Sequence, residues 1–269
     1  MKRRRFLASS LIAPALAADA SAVYLQGAAA NWKAEGREFY ELRRYEIRSG
    51  PQTKLAHSYF QNALIPALNR LGIKPVGVFN MVIGPEAPSI YILLPSSSVE
   101  TLVTARFQLE SDPAYQAAAS DFLNAPAIQP AYIRIESELM LAFKGHPKLT
   151  VPPATASHGV RMFELRTYES PSDRDHTRKV EMFNSGEFDI FLSAGFHPVF
   201  YGDKLAGTRM PNLTYMLSFD DLADRDRKWK AFGSSPAWKK LSTSQRYAFE
   251  EIVSNITNPI LSPAPYSQI

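Results

Sequence analysis

The sequence predicts an α+β fold made of two copies of one ferredoxin-like βαββαβ unit, over residues 38–143 and 160–262. Two observations predict it. Separate blocks of sequence recur at a fixed spacing, which indicates an internal duplication. Within each copy, alternating apolar segments and segments with helical periodicity follow one another in the same order.

The duplication is carried by matches at an offset of 123 residues. The segment Tyr40–Glu46 matches Phe163–Glu169. The same offset aligns shorter motifs farther along: Phe60 with Phe183, Gly72 with Gly195, Pro75-Val76 with Pro198-Val199, and Pro113–Tyr115 with Pro236–Trp238. We also match Tyr91 with Tyr215, at an offset of 124. Separated blocks in one register are typical of a duplicated unit.

The periodicity sets the limits of each predicted element. Alternating strands rich in aromatic residues open the copies at 38–47 and 161–169. Helices follow at 53–71 and 176–194, and each ends at a glycine. Each copy then has two strands, a helical stretch and a last strand: 75–83, 89–95, 97–123 and 131–143 in the first copy, and 197–202, 213–219, 220–246 and 248–256 in the second.

Four segments lie outside the two units. Residues 1–18 form a predicted signal peptide, with a basic start, an apolar stretch too short to span a bilayer and a small-residue cleavage site. The motif Arg3-Arg4-Arg5-Phe6-Leu7 fits the twin-arginine pattern, and a general secretory signal is the alternative. We therefore expect a periplasmic or secreted protein. Residues 19–37 are a predicted flexible lead-in, 144–159 a linker that contains prolines, and 263–269 a tail.

Charge and cysteine content exclude several classes of function. The chain has 30 Lys and Arg against 26 Asp and Glu, and the four basic residues at positions 2–5 supply the whole excess. Once the signal is removed the chain is formally neutral, so we expect no nucleic-acid partner. No further apolar run approaches the length of a membrane span, so we expect no membrane partner. The absence of cysteine excludes disulfides, thiolate zinc sites and a cysteine nucleophile.

Several motifs carry a resemblance to a known family. Both halves open on F/Y-E-L-R-x-Y, and the second half contains G-F-x-P-V-F-Y-G at Gly195–Gly202, P-N-L-T-Y-M-L at Pro211–Leu217, and the spaced residues Trp229, Phe232, Pro236 and Trp238. The chain resembles the NIPSNAP family in these motifs. The resemblance implies that the two units pack their sheets together as an intramolecular dimeric α/β barrel. It implies no single reaction, because the wider superfamily includes cofactor-free monooxygenases, isomerases, haem-handling proteins and proteins without known catalysis.

Polar residues that occur in both copies are predicted to serve the fold. Glu41, Arg43 and Tyr45 in the first opening strand recur as Glu164, Arg166 and Tyr168 in the second. A spacing of two puts each set on one face of its sheet. We expect a framework of ion pairs and hydrogen bonds inside the barrel or at its rim; the alternative is that the same groups line a polar pocket.

Polar residues that occur in only one copy are better candidates for chemistry. Glu187 aligns with Leu64, which lies on the core-facing stripe of the first helix. A carboxyl group on an apolar face should have a raised pKa, which suits a general acid or base. Asn184 and Gly186 just before it are expected to weaken the helix locally, and Asn184 is predicted to line a pocket. The alternative is that Glu187 points to solvent or pairs with an arginine.

The strand after this helix supplies the other candidates. His197 replaces Lys74 of the first copy, and Tyr201 lies on the same strand face, so we predict that either residue orients the proton that Glu187 moves. Tyr215 and Trp229 are predicted pocket walls, with ordinary core packing as the alternative. No metal site is expected, because no pair of histidines has ligand spacing, and no nucleotide or cofactor motif occurs.

Two hypotheses for function follow. In the first, a pocket in the barrel binds a small apolar or aromatic molecule, and Glu187 catalyses cofactor-independent isomerisation or oxygenation. In the second, the protein is a non-catalytic binding or assembly module in which Glu187 is incidental. The expected partners are a small molecule and a second copy of the chain.

Overall fold

The computed structural model describes residues 34–269 except Glu86 and His158. The predicted signal peptide and most of the predicted lead-in lie outside the described residues. Within the described part, no helix is long and apolar enough to cross a membrane.

The first half follows the predicted order of elements. The helix after β1 is continuous but contains a π-helical turn, Phe60–Leu64, between α1 and α2. The stretch predicted as a single helix at 97–123 is two helices, because Asp112 accepts hydrogen bonds from the free backbone amides of Ala114 and Tyr115 and starts a new one. The elements are β1 Phe39–Glu46, α1 Pro51–Tyr59, α2 Ile65–Arg70, β2 Gly77–Ile83, β3 Ser89–Ser96, α3 Val99–Glu110, α4 Pro113–Leu123 and β4 Arg134–Ala142.

The second half repeats the order after a short linker helix, and its end departs from the prediction. The elements are α5 Pro153–Ala156, β5 Met162–Glu169, α6 Asp173–Met182, a π-helical turn Phe183–Glu187, α7 Phe188–Ser193, β6 His197–Ala206, β7 Asn212–Phe219, α8 Leu222–Ser234, α9 Pro236–Ser242, α10 Phe249–Ile252, β8 Asn255–Thr257 and β9 Ile260–Pro263.

The last strand of the second half was predicted too early. Residues 249–252 are helical because Tyr247 and Ile252 pack with Met182 beneath α6. The strand comes later and is split into β8 and β9 around Asn258 and Pro259. Proline has no amide hydrogen for a ladder bond, which accounts for the break.

Eight of the nine strands in the described part of the chain close into a barrel. Their order is β7-β6-β4-β1-β3-β2-β9-β5, and β5 returns to β7, while β8 is attached to β5. Two antiparallel pairings join the halves: β4 with β6, and β2 with β9. The predicted intramolecular dimeric α/β barrel is therefore confirmed.

Alternate residues of each strand face either the barrel interior or the helices outside it. Tyr40 and Leu42 of β1 belong to the interior apolar cluster. Glu41, Arg43 and Tyr45 point the other way, toward the helices. The expectation that this shared polar framework lies inside the barrel or at its rim is wrong, because the strand alternation puts it on the outer face.

The strand register also corrects one of the repeat matches. Arg43 is opposite Ile92 and its equivalent Arg166 is opposite Tyr215, so Tyr215 corresponds to Ile92, at the common offset of 123. Tyr91, which we matched with Tyr215 by residue type, faces the barrel interior instead.

A substitution at Gly186 tests the importance of the second π-helical turn. The φ of 137° at Gly186 is strained for any other residue, so we expect Gly186→Ala to lower the free energy of unfolding by about 1–3 kcal/mol. Gly233→Ala in α8 is the matched control: an added Cβ meets no atom within 4 Å and φ is not positive there, so its stability should change by less than about 1 kcal/mol. Urea unfolding measures both, and equal losses would contradict this view of Gly186.

Candidate functional site

An ion pair is sealed between the sheet and the helices of the second half. The side chains of Lys179 on α6 and Glu187 at the end of the π-helical turn are 0% and 1% exposed. The Nζ of Lys179 donates a hydrogen bond to Oε2 of Glu187 at 2.5 Å. The rings of Phe183 and Phe249 lie 4.3 and 4.9 Å from the same nitrogen. Burying two charges among aromatic rings is costly, so this pair needs an explanation.

The π-helical turn brings the two charged side chains onto one face. Lys179 and Glu187 are eight residues apart, which in a regular α-helix would separate their directions by about 80°. A π-helical turn contains one extra residue, and this reduces the difference to about 20°. The predicted weakness near Asn184 and Gly186 is thus a defined geometric feature that aims Glu187 at Lys179.

Three tyrosines lie on the sheet beneath the pair. Nε and Nη2 of Arg166 donate to the hydroxyl of Tyr168 at 3.3 and 3.2 Å, and the hydroxyl of Tyr215 donates to it at 2.8 Å. The ring of Tyr201 stacks on that of Tyr215, with centroids 5.2 Å apart. The buried hydroxyl of Tyr201 has no hydrogen-bond partner among the described residues. An unsatisfied buried hydroxyl is uncommon and marks a place where a ligand atom could bond.

Burial controls the protonation of these groups. Desolvation raises the pKa of Glu187, although the charges of Lys179 and Arg166 oppose the shift. Desolvation lowers the pKa of Lys179, against the effect of Glu187. The pKa of Tyr201 is raised well above its usual value, first by burial and then by the carboxylate of Glu187. Desolvation therefore favours the protonated forms of Glu187 and Tyr201, and the protonated hydroxyl of Tyr201 can donate a hydrogen bond.

The second-half framework is continuous with this cluster. Glu164 accepts hydrogen bonds from Nη1 of Arg166 at 2.7 Å, from Arg225 at 2.6 Å and from Nε1 of Trp229 at 2.7 Å. Arg225 and Arg166, with Trp229, hold the pKa of Glu164 below its usual value despite burial. The framework fixes Arg166, and Arg166 in turn fixes Tyr168.

The predicted site residues separate into three groups. Glu187, Tyr201 and Tyr215 come together in the buried cluster. His197 is exposed at the first residue of β6 and does not join them, which corrects its predicted role beside Glu187. Asn184 is also exposed and lies outside the buried cluster: its Oδ1 accepts a hydrogen bond from the backbone amide of Gly145 and so holds the linker. Trp229 hydrogen-bonds Glu164 and lies over Arg166.

Comparison with known proteins identifies the family. The NIPSNAP family model matches residues 40–143 and again residues 163–268, which together are most of the chain. The chain belongs to the NIPSNAP family. No curated protein matches it. The match covers both halves, so the duplicated unit is the NIPSNAP domain itself.

Solved structures resemble the NIPSNAP pair in fold. A protein of Fusobacterium nucleatum, provisionally named a monooxygenase, is 9% identical with a TM-score of 0.55, covering 84% of this chain and 92% of that chain. One from Lactobacillus acidophilus with the same provisional name is 8% identical, with a TM-score of 0.53 over 84% and 94%. An anthrone oxidase-like protein is 11% identical, with a TM-score of 0.50 over 87% and 94%. At these identities the likeness shows the fold alone.

The two NIPSNAP copies differ at the positions that form the cluster. The π-helical turns begin at Phe60 and Phe183, and the strand registers align β2 and β3 with β6 and β7. These correspondences pair Lys179, Glu187, Tyr201 and Tyr215 with Ala56, Leu64, Val78 and Ile92. All four first-copy residues lie in one buried apolar cluster. The fold therefore does not require polar side chains at these positions.

Lys179 is the residue that sequence reasoning missed. Its equivalent is the fully buried Ala56. The offset that singled out Glu187 applies equally to Lys179, so the signal was present in the sequence. A lysine within a highly charged, polar helix segment resembles a solvent-exposed residue, and its burial was not expected.

A double-mutant cycle tests whether the ion pair is needed for folding. Lys179→Met alone leaves Glu187 buried without its cation, so we expect a loss of about 3–5 kcal/mol in unfolding free energy. Lys179→Met combined with Glu187→Leu should restore stability to the wild-type value or above it. Urea unfolding measures the cycle, with the exposed pair Arg246 and Glu181 as control. If the double variant is as unstable as Lys179→Met alone, the apolar residues at the equivalent positions of the first copy do not show what the second copy tolerates.

The single variant should also show a characteristic pH dependence. Without Lys179 the pKa of Glu187 in the folded protein rises further above its unfolded value of about 4.3. Between these two values the folded state binds more protons, so stability falls as pH rises through this range. Unfolding at pH 5 and pH 8 checks the sign, and greater stability at pH 8 would contradict it.

Proposed function

We propose that the second half catalyses cofactor-independent proton transfer on a small aromatic or apolar molecule with an acidic C–H bond. One observation carries the proposal: a buried Glu187–Lys179 pair and an unpartnered Tyr201 hydroxyl occupy positions that are apolar in the first half. Buried titratable groups that destabilise the protein and that the fold does not need are typical of catalytic sites.

Each residue has a separate role in this reaction. Glu187 takes the proton from carbon, because burial has raised its pKa and so made its carboxylate a stronger base. Lys179 keeps enough of Glu187 ionised to act as a base. The acidic C–H bond lies beside a carbonyl group of the substrate. The hydroxyl of Tyr201 donates a hydrogen bond to the oxygen of this carbonyl, on which negative charge develops as the proton leaves. Returning the proton to another carbon gives isomerisation.

Aromatic surroundings favour an aromatic or apolar substrate. Phe183, Phe188 and Phe191 all lie within ring-contact distance of Tyr201. Such walls exclude water but admit molecular oxygen, which is apolar. The carbanion left after Glu187 removes the proton can then react with oxygen, so oxygenation is the second outcome. The monooxygenase name of two structures with this fold makes oxygen uptake a necessary measurement.

Substrate entry requires a movement of the cover. Within the described part of the chain, Glu187 lines neither the cavity at one end of the barrel nor the one beside the start of α6. The start of the linker lies over the site, with the ring of His146 5.3 Å from that of Tyr201. The backbone of Gly145 is held by Asn184 at 2.8 Å. We infer that this linker contact opens when substrate enters.

The same enclosure favours one alternative. If no substrate enters, the cluster is internal polar packing and the chain is a binding or assembly module. Glu187 would then be incidental, as our second hypothesis states. Catalysis and this alternative make opposite predictions for a single conservative variant.

Solvent deuterium exchange tests the catalytic proposal. With 2-indanone, a small uncharged aromatic ketone with acidic C–H bonds, the protein should accelerate exchange at the α-carbon as measured by NMR. Glu187→Gln should reduce the rate at least 100-fold, since a positioned base contributes about 10²–10⁴. Tyr201→Phe should lower kcat more than it raises KM, because it bonds mainly to the developing charge.

The controls separate catalysis from packing. His197→Gln, at an exposed position, should leave the rate unchanged. An oxygen electrode distinguishes isomerisation from oxygenation. Mass spectrometry of protein isolated from its native source provides the natural ligand. The proposal fails if wild type and Glu187→Gln exchange deuterium equally and no ligand copurifies.

We also propose that the protein is exported by the twin-arginine route and works in the periplasm. The basic start and the motif at Arg3–Leu7 support this. Replacing Arg3 and Arg4 by lysine keeps the charge but removes the arginine pair. We expect the precursor to stay in the cytoplasm on cell fractionation. Undiminished export of this variant would favour the general secretory route.

A further inference from the structure

A cavity opens at one end of the barrel, away from Glu187. Its volume is about 250 Å³, and both halves of the chain contribute to it. It lies where β1 and β5, which are opposite strands of the barrel, reach their carboxyl ends. A cavity of this size suits a ligand smaller than a typical drug molecule.

The floor of the cavity is the top of the barrel core. Leu42 and Leu165 are equivalent residues of the two halves, and Tyr91 lies beside them. All three belong to the buried interior cluster. The floor therefore offers an apolar contact surface.

The walls carry three ion pairs, unlike the floor. Lys204 is 2.8 Å from Glu138, Arg44 is 2.9 Å from Glu136, and Arg209 is 3.5 Å from Glu169. Among the described lining residues the charges balance. The cavity thus presents both signs of charge to one small molecule.

The best-buried of these pairs is not needed to close the barrel. The side chain of Lys204 is 2% exposed. It lies at the seam between β4 and β6. At the offset of 123 the other seam has Met81 and Leu261, which are directly paired between β2 and β9. An apolar pair closes one seam, while the other carries a desolvated ion pair at a cost in free energy.

We propose that this cavity binds a small zwitterion with an apolar substituent, such as an apolar α-amino acid. Its ammonium group pairs with Glu138 or Glu169, and its carboxylate with Lys204 or Arg209. Its apolar group contacts Leu42 and Leu165 on the floor. A ligand carrying a single charge would satisfy one sign of the wall and leave the other without a new partner.

Calorimetric titration of the mature protein with glycine, L-leucine and L-phenylalanine tests this. We expect saturable binding of L-leucine or L-phenylalanine. Two single-charge analogues of leucine, 4-methylpentanoate and 3-methylbutylamine, should bind at least 10-fold more weakly. Absence of binding by all three amino acids, or equal binding of the analogues, overturns the proposal.

Variants locate the site and separate it from the proton-transfer cluster. Lys204→Met combined with Glu138→Leu copies the other seam, so it should fold and lose binding at least 10-fold. Far-UV circular dichroism and urea unfolding check its folding. Glu187→Gln should bind the amino acid as wild type does. Unchanged affinity in the seam variant, or loss of affinity in Glu187→Gln, rules out the barrel end as the site.

Discussion

Backbone pairing across the two seams, β4 with β6 and β2 with β9, determines the rest of this molecule. Each half alone would expose one face of its sheet and leave edge strands unpaired. Joining the halves covers both inner faces with each other and removes the edges, which otherwise promote aggregation. The outer faces remain for the helices. The protein consequently has a shared interior core and two helix–sheet layers, each with its own buried cluster, and the C-terminal residues Ala264 and Tyr266 pack into the first of them.

That separation explains how the two layers came to differ so much. The first is filled with apolar side chains, including Ala56, Leu64, Val78 and Ile92. The second contains, at the same positions, a buried ion pair and two tyrosines. Both keep the Glu-Arg-Tyr framework on the strand that faces the helices. The residues that the two halves share serve the fold. The buried polar residues found in the second half alone are the candidates for chemistry.

The fold could be predicted from the sequence because the duplication presents each element twice, so each prediction could be checked against a second stretch of sequence. Strand alternation, helix-ending glycines and repeated motifs agreed, and the NIPSNAP resemblance supplied the barrel. Glu187 could be found because a carboxylate replaced a core leucine. Lys179 was missed, since a lysine in a polar helix gives no local sign of burial. Tyr91 was paired with Tyr215 by residue type, and only strand register showed that they point to opposite faces. His197 does not orient the proton and Asn184 does not join the buried cluster, because both side chains are exposed and their exposure depends on tertiary packing that the sequence does not show.

The linker between the halves has a meaning beyond connection. In a barrel assembled from two identical chains, every substitution appears twice, and a destabilising polar cluster would burden both subunits. When residues 144–159 join the two copies in one chain, the copies no longer need to have the same sequence. One copy is free to serve as a conventional hydrophobic support while its sibling accumulates costly buried charge. Because the two halves belong to one chain, the buried charge pair occurs once per molecule, in the second half, and the equivalent positions of the first half are apolar.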